Sequence, residues 1–422
     1  MNANNGLFDT LKARGYIYQS TDNATLKNLI DGDKPLTFYL GVDPTASSLH
    51  IGHFFALMMF RHLQNAGHKG ILVFGGATAL VGDPSGKSDM RSMLSAQQVQ
   101  DNIQQVIKIA SKFIQMDGDN PALIVNNADW FKGYEFVSFM RDIGTHFNVN
   151  KMLSADAYAN RIKQGGLTFL EMGYMLMQSY DFIYLANKFG CRLQIGGSDQ
   201  WGNIVAGTDL YRKMKYGETK KVGNNIYDNI YGLTCPLLLT KDGQKMGKTV
   251  NGALWVDSNK TSPYDFYQYF YNIDDKDTAM LLKLFTQISL QEIEQIINTD
   301  IIKAKKLMAY EITKLVHGQS ETDKVVDATN SLFGGNIQSQ NIPSITLPLT
   351  RLRQGINIID LFVETQLVAT KSQCRQLIDG GGLLIDDKKV TDYKMIVSQS
   401  SLQDNTTILK KGKKNFLKVI FQ

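Results

Sequence analysis

The chain has 422 residues, 43 % hydrophobic and 20 % charged, a balance that excludes a disordered chain and allows two to four domains. With 36 Gly and 8 Pro it is neither collagen-like nor low-complexity, and its longest wholly apolar run, Phe54–Phe60, falls far short of the roughly 18–20 residues a membrane span needs. The net charge of +5 is lopsided, because the stretch from Arg351 onward holds twelve Lys and Arg against seven acids, which is the entire excess.

From about Pro35 to Leu239, short β-rich runs alternate with longer helical patterns. Leu36–Val42 predicts a buried strand and Leu49–Ala66 a helix, and Lys69–Phe74 and Ala122–Asn126 predict further strands bounded by Gly or Pro. That alternation predicts an α/β fold with a mostly parallel, doubly wound sheet. From about Asn259 to Leu332 the pattern is helical: Ser262 before Pro263 predicts a helix start, and Ser289-Leu290-Gln291-Glu292 predicts a capping box. Residues 334–350, with Gly334, Gly335, Pro343 and Pro348, read as a linker. A unit of about 70 residues follows, helical to Asp379 and then β-rich. The expected domains are therefore 1–250, 251–333 and 351–422.

Three scattered cysteines, Cys191, Cys235 and Cys374, make no disulfide framework and offer no metal spacing. With no apolar leader among the first 30 residues, the expected location is cytoplasmic. The basic end suits a polyanionic partner, and equally a solvated basic surface.

Five stretches could carry chemistry. Tyr39-Leu40-Gly41-Val42-Asp43-Pro44-Thr45 ends a strand and leads to His50-Ile51-Gly52-His53 at a helix start, where free backbone N–H groups and a partial positive charge suit phosphate. His50 and His53 share a helix face, and Gly52 admits a flat ring to the backbone. A metal pair is the rival reading, although zinc pairs on helices are usually spaced i, i+4. Gly82-Asp83-Pro84-Ser85-Gly86-Lys87-Ser88 suggests a P-loop, but Val81 stands where the first glycine belongs, and Pro84 lacks an N–H. A Gly-Pro turn is the simpler reading, with Asp83 at the end of a strand facing the crevice. Tyr174, Gln178 and Asp181 lie at i, i+4 and i+7, placing a phenol, an amide and a carboxylate on one helix face. Such groups on a buried stripe need partners, which a core helix could also supply locally. Gln194-Ile195-Gly196-Gly197-Ser198-Asp199-Gln200-Trp201-Gly202-Asn203 holds a strand end, two glycines, then Asp and Gln, and could place a carboxylate on ribose hydroxyls. The loop Leu239–Thr249, rich in Lys and Gly and without a helix or strand pattern, could clamp triphosphate oxygens, or be simply a solvated basic loop.

His50-Ile51-Gly52-His53 resembles the HIGH tetrad of class I aminoacyl-tRNA synthetases, and Lys245-Met246-Gly247-Lys248-Thr249 resembles their lysine signature, with Gly247 and Thr249 in place of two serines. Together with Tyr39–Thr45, Gly82–Lys87, Tyr174, Gln178, Asp181 and Gly196–Asn203, the resemblance narrows to bacterial-type tyrosyl-tRNA synthetases and runs along essentially the whole chain. The tail, Gly355–Leu361 and Ser372–Gly382, resembles the small RNA-binding domain first seen in ribosomal small-subunit protein four.

The resemblance implies a Rossmann-like catalytic domain, then an α-helical domain, then a small α+β RNA-binding domain. It implies activation of L-tyrosine by ATP to tyrosyl-AMP and pyrophosphate, followed by transfer to tRNA(Tyr). Tyr39 and Asp181 would meet the phenol; Tyr174, Gln178 and Asp83 would hold the ammonium; Gln200 would lie near the carboxyl. Gly197 and Asp199 would bind ribose. Thr45, His50, Lys245 and Lys248 would stabilise the β- and γ-phosphates, with Gly41, Asp43, Gly52 and His53 completing the ATP seat. Mg²⁺ would accompany ATP, without a protein-bound metal or organic cofactor. A homodimer is expected, and neither DNA nor a membrane as partner. The tryptophanyl enzyme is the nearest alternative; a P-loop kinase and a non-catalytic RNA-binding protein are more distant ones.

Overall fold

The computed structural model describes residues 6–85, 94–217, 228–249, 252–333, 344–402, 404–412 and 415–422. They fall into two compact units, one ending at Gly318 and the other running from Gln319 to Gln422.

The first unit is built on a six-stranded sheet: β1 (Gln19–Ser20), β2 (Thr37–Val42), β3 (Lys69–Phe74), β4 (Leu123–Asn126), β5 (Leu193–Gly197) and β6 (Tyr231–Cys235), in the order β1-β6-β5-β2-β3-β4. All neighbours are parallel except β1, which runs antiparallel to β6. Phe38, Tyr39, Leu40, Ile71, Leu72, Val73, Leu193 and Ile195 are buried, as strands covered on both faces require. Succession from β2 runs outward through β3 to β4 on one side, and through β5 to β6 on the other. The strand order therefore reverses between β2 and β5.

The helix Ile51–Asn65 crosses from β2 to β3, and Phe54, Phe55, Met58, Met59 and Leu63 form its buried face. The helix Phe169–Phe189 leads into β5. Thr168 caps its start in a capping box with Glu171, Gly190 ends it in the left-handed conformation at φ 65°, and Glu171 makes a buried ion pair with Arg161 at 2.9 Å. Beyond the sheet come helices Pro263–Tyr271, Asp275–Phe285, Leu290–Thr299 and Ile301–His317, with Ser262 and Ser289 as the N-caps their sequences announce.

Expected as separate domains divided at residue 250, the sheet and these helices form one unit. Three interlocks join them. Arg14 donates to the carbonyls of Lys283, Thr286 and Ile288 at 2.8–2.9 Å, the Tyr16 hydroxyl donates to the Leu284 carbonyl, and Phe54 stacks on Phe285 with centroids 5.3 Å apart. Among the described residues no helix is long and apolar enough to cross a membrane.

The second unit begins with the helix Gln319–Phe333 and contains helices Leu349–Gln354, Ile358–Glu364 and Lys371–Asp379. Its five-stranded sheet runs in the order Lys388–Lys389, Leu383–Ile385, Thr406–Lys411, Asn415–Phe421, Ser344–Leu347. Leu352, Ile358, Leu361, Phe362, Cys374, Leu383, Val397, Leu409 and Val419 make its core. Ser344–Leu347 corrects the expected linker: it pairs parallel to the final strand, Lys418 to Phe421, and the helix Leu349–Gln354 starts directly after it. Residues 334–343 of that stretch lie outside the described residues.

Candidate active site

Ligand crevices in open parallel sheets lie beyond the carboxyl ends of the strands, where the order reverses. Here that point is the gap beyond β2 and β5, and a cavity of about 520 Å³ occupies it. It is lined by Tyr39, Gly41, Asp43, Thr45, His50, Gly52, His53, Asp83, Tyr174, Gln178, Asp181, Gly197, Asp199, Gln200 and Lys245, bringing together every candidate residue except Lys248. The Lys248 side chain lies outside the described residues, as do residues 86–93, which hold the rest of the P-loop-like stretch.

One end of the cavity is closed and polar. Tyr39, on β2, is buried with its ring edge-to-face against Phe182, 5.1 Å between centroids. The helix Phe169–Phe189 delivers Tyr174, Gln178 and Asp181 to the same wall, as their spacing predicts. The Asp181 carboxylate accepts from Trp130 Nε1 at 2.8 Å and Asn127 Nδ2 at 3.1 Å. Burial outweighs both donors and pushes its pKa up to about 8. The Tyr39 hydroxyl is held well above the ordinary phenol value, by burial first and then by the neighbouring Asp181 charge. Tyr39 Oη, Gln178 Oε1 and Gln194 Oε1 are buried and have no hydrogen-bond partner among the described residues. Each such atom costs about 1–3 kcal/mol, so this end suits a ligand that brings its own donors and acceptors.

A hydrogen-bond chain wraps this end. Asn127 Nδ2 also donates to Thr78 Oγ1 at 3.0 Å, and Thr78 Oγ1 donates to Asp43 Oδ1 at 2.8 Å. Asp43 Oδ2 accepts from the Tyr174 hydroxyl at 2.8 Å. Asp43, expected in the ATP seat, is thus tied to Tyr174. Contrary to the expectation, Asp83 does not end a strand. It follows the helical turn Thr78–Val81, and its carboxylate accepts from the Ser85 N–H at 2.9 Å and from Gln200 Nε2 at 2.7 Å.

The other end carries imidazole and ammonium groups. His50 caps the helix Ile51–Asn65, its Nδ1 accepting from the Gly52 N–H at 3.1 Å. Its ring stacks on that of His53, with centroids 3.8 Å apart and planes 16° apart. A Cβ at Gly52 would sit 3.1 Å from His50 Cε1, a tight contact to which the imidazole would have to yield by a few tenths of an ångström. Gly197 ends β5, and Asp199 follows in the turn Ser198–Gln200. Lys245 Nζ stands 4.0 Å from Asp199 Oδ2; burial raises the Asp199 pKa and the lysine opposes that rise. No group of three or more His, Cys, Asp or Glu among the described residues is arranged to hold a metal ion. The lysine loop departs from the expected absence of strands, because Lys248–Thr249 pairs with Gly252–Ala253 in a short hairpin.

Thr78, Asn127, Trp130 and Trp255 also belong to the site or its hydrogen-bonded lining, and sequence reasoning missed them; Gln194, in the stretch singled out, was given no role. Asn127 was findable, since it directly follows a parallel strand at its carboxyl end. Trp130 carried no such signal.

Two family models match the chain: tRNA synthetases class I (W and Y) over residues 31–334, and the tyrosine–tRNA ligase SYY-like C-terminal domain over residues 336–419. The chain is 45 % identical over 421 residues to the tyrosine–tRNA ligase of Clostridium tetani, covering 99 % of this chain and 100 % of that protein. It is 44 % identical to the tyrosine–tRNA ligase of Clostridium botulinum strain Alaska E43, covering 99 % of each. Among solved structures, a C-terminally truncated mitochondrial tyrosyl-tRNA synthetase of Aspergillus nidulans aligns with a TM-score of 0.67 at 29 % identity, over 79 % of this chain and 95 % of that one.

Proposed function

The chain belongs to the tyrosine–tRNA ligases, ATP-dependent class I aminoacyl-tRNA ligases, and from that premise we propose how its crevice divides the work. The closed polar end takes the amino acid. Tyr39 and Asp181 pair with the substrate phenol, while Tyr174, Gln178 and Asp83 hold its ammonium, with Asp43 fixing the Tyr174 hydroxyl. Gln200, bonded to Asp83, lies near the substrate carboxyl. The open end takes ATP: Gly197 and Asp199 on ribose, Gly41 and Gly52 giving close backbone approach, and His53 supporting the nucleotide. Thr45, His50, Lys245 and Lys248 meet the β- and γ-phosphates. Mg²⁺ arrives with ATP as part of the substrate, held mainly by phosphate oxygens and water.

In the first step a carboxylate oxygen of tyrosine forms a bond to the α-phosphorus. The bond from that phosphorus to the bridging oxygen breaks, and pyrophosphate leaves with the electron pair. The nucleophile is already an anion, so no general base is needed. Alignment and stabilisation of the growing charge on pyrophosphate carry the rate. In the second step a terminal ribose hydroxyl oxygen of tRNA bonds to the tyrosyl carbonyl carbon, the bond from that carbon to the phosphate oxygen breaks, AMP leaves with the electron pair, and the hydroxyl proton passes to the leaving phosphate or to water. The reading involves no covalent enzyme intermediate.

The observation that carries this reading is the cavity itself, with polar atoms of Tyr39, Gln178 and Gln194 that have no partner among the described residues at one end and His50, His53 and Lys245 at the other. Tyrosine is favoured over tryptophan because a phenol matches the Tyr39 hydroxyl and the Asp181 carboxylate together. Amino-acid-dependent exchange of pyrophosphate into ATP tests it. Tyrosine is expected to support exchange while phenylalanine and tryptophan leave it near background; equal rates with phenylalanine would refute the phenol-reading pocket.

tRNA(Tyr) is the partner proposed for the second unit, supported by the exposed cations Arg353, Arg375, Lys388, Lys389 and Lys394. A homodimer is proposed from Phe136, Val137, Val149, Phe169 and Leu170, large apolar side chains exposed by 44–68 %. Free thiols at Cys191, Cys235 and Cys374 fit the reducing cytoplasm.

A further inference from the structure

The lysine loop is fixed at a point midway between its two lysines. Gly247 donates its N–H to the Tyr269 hydroxyl at 2.8 Å, from the helix Pro263–Tyr271. Its carbonyl accepts from the Leu254 N–H at 2.7 Å, and the Leu254 carbonyl in turn accepts from the Ile51 N–H at 3.2 Å. Ile51 is the first residue of the helix that His50 caps. A hydrogen-bonded path therefore runs from Tyr269, through the backbone between Lys245 and Lys248, to the helix start that carries both histidines. Gly247 sits at φ +86°, and a Cβ there would lie 2.5 Å from Ile51 Cγ2. No side chain fits at this residue while the loop keeps this position. Met246, just before it, is buried and donates its N–H to the Leu238 carbonyl at 2.8 Å.

We propose that Tyr269 is a positioning residue for adenylate formation, its hydroxyl latching the Gly247 N–H so that the loop lysines are held against the His50 helix. The proposal rests on the reading of Lys245 and Lys248 as a triphosphate clamp. Tyr269 touches no substrate; it sets how often the clamp is in place. Removing its hydroxyl lowers the fraction of molecules with the loop docked, which lowers the rate of the step that needs the lysines. Tyrosine binding, at the other end of the cavity, does not depend on the loop and is unchanged.

The test is pyrophosphate exchange and tyrosine affinity in the full chain, for Tyr269→Phe, Gly247→Ala and Lys245→Ala. Tyr269→Phe keeps the ring and removes only the hydroxyl that accepts from the Gly247 N–H. Its kcat for exchange is expected to fall about 3- to 10-fold, the worth of one hydrogen bond, with the Kd for tyrosine unaltered. Trypsin is expected to cut after Lys245 faster in this variant than in the parent chain. Gly247→Ala is expected to lose more, about 10- to 100-fold in kcat, again with tyrosine binding retained. Parent-like kcat and proteolysis in Tyr269→Phe would overturn the latch. So would a loss of kcat accompanied by an equal loss of tyrosine affinity, which would mark Tyr269 as merely structural. If Lys245→Ala slows exchange while Tyr269→Phe does not, the clamp stands and the latch alone falls; if Lys245→Ala has no effect, both fall.

Discussion

Asp181 shows how one residue's surroundings set its chemistry. The carboxyl is buried, and its pKa of about 8 means that the folded chain holds a proton there which the unfolded chain releases near pH 4. The sign follows: between about pH 4 and pH 8 the folded state binds more protons, so this group's contribution to stability declines as pH rises through that window. Asp181→Asn should therefore flatten the fall in urea midpoint between pH 5 and pH 8, measured without substrates. An unchanged slope would mean that the carboxyl is ionised throughout. Lys248→Ala should slow tyrosyl-adenylate formation by roughly 10²–10³-fold in single-turnover kinetics, the loss typical of one preorganised charge donor. Near-parent rates would discard that role. Tyr174, Gln178 and Asp181 were legible in the sequence because helical periodicity puts them on one face. Trp130 was not, because its partner Asp181 lies 51 positions further along the chain and only the fold brings them together; Asn127 was marked by its place after a strand, but its bond to Asp181, 54 positions on, was not.

Local signals served well wherever a run was long and bounded. The expected strand Lys69–Phe74 matches β3, and the Ser262 and Ser289 starts are N-caps with their side chains on the backbone of Asp265 and Glu292. Short strands were invisible for a physical reason: Lys248–Thr249 and Ser344–Leu347 are too brief to carry a period, and their pairing comes from partners across the loop or at the chain's far end. The contact of Arg14 with the helix Asp275–Phe285 was equally hidden. Its guanidinium takes carbonyls at and just beyond that helix's C-terminus, which also carries partial negative charge. Arg14→Ala should lower stability by about 1–2 kcal/mol, read as a lower urea midpoint at unchanged m-value. No change would mean that solvent replaces those bonds at no cost.

At the level of the molecule, every described candidate residue of the crevice lies between Tyr39 and Lys245, well inside the first unit. A chain ending at residue 334, where the catalytic family model stops, should keep tyrosine-dependent pyrophosphate exchange and lose charging of tRNA. Equal loss of both would make the second unit a structural part of the site. The parent chain should run as a dimer in light scattering, and Phe136→Glu should shift it toward monomer if the exposed apolar residues form the interface. If one crevice at the reversal of strand order seats a phenol and a nucleotide end to end, a crystal structure with a stable tyrosyl-adenylate analogue will display both in it. The phenol oxygen is expected within hydrogen-bond distance of both Tyr39 Oη and the Asp181 carboxylate, with the ribose at Gly197 and Asp199. A phenol seated anywhere else, or a ribose beside Asp181, would contradict it.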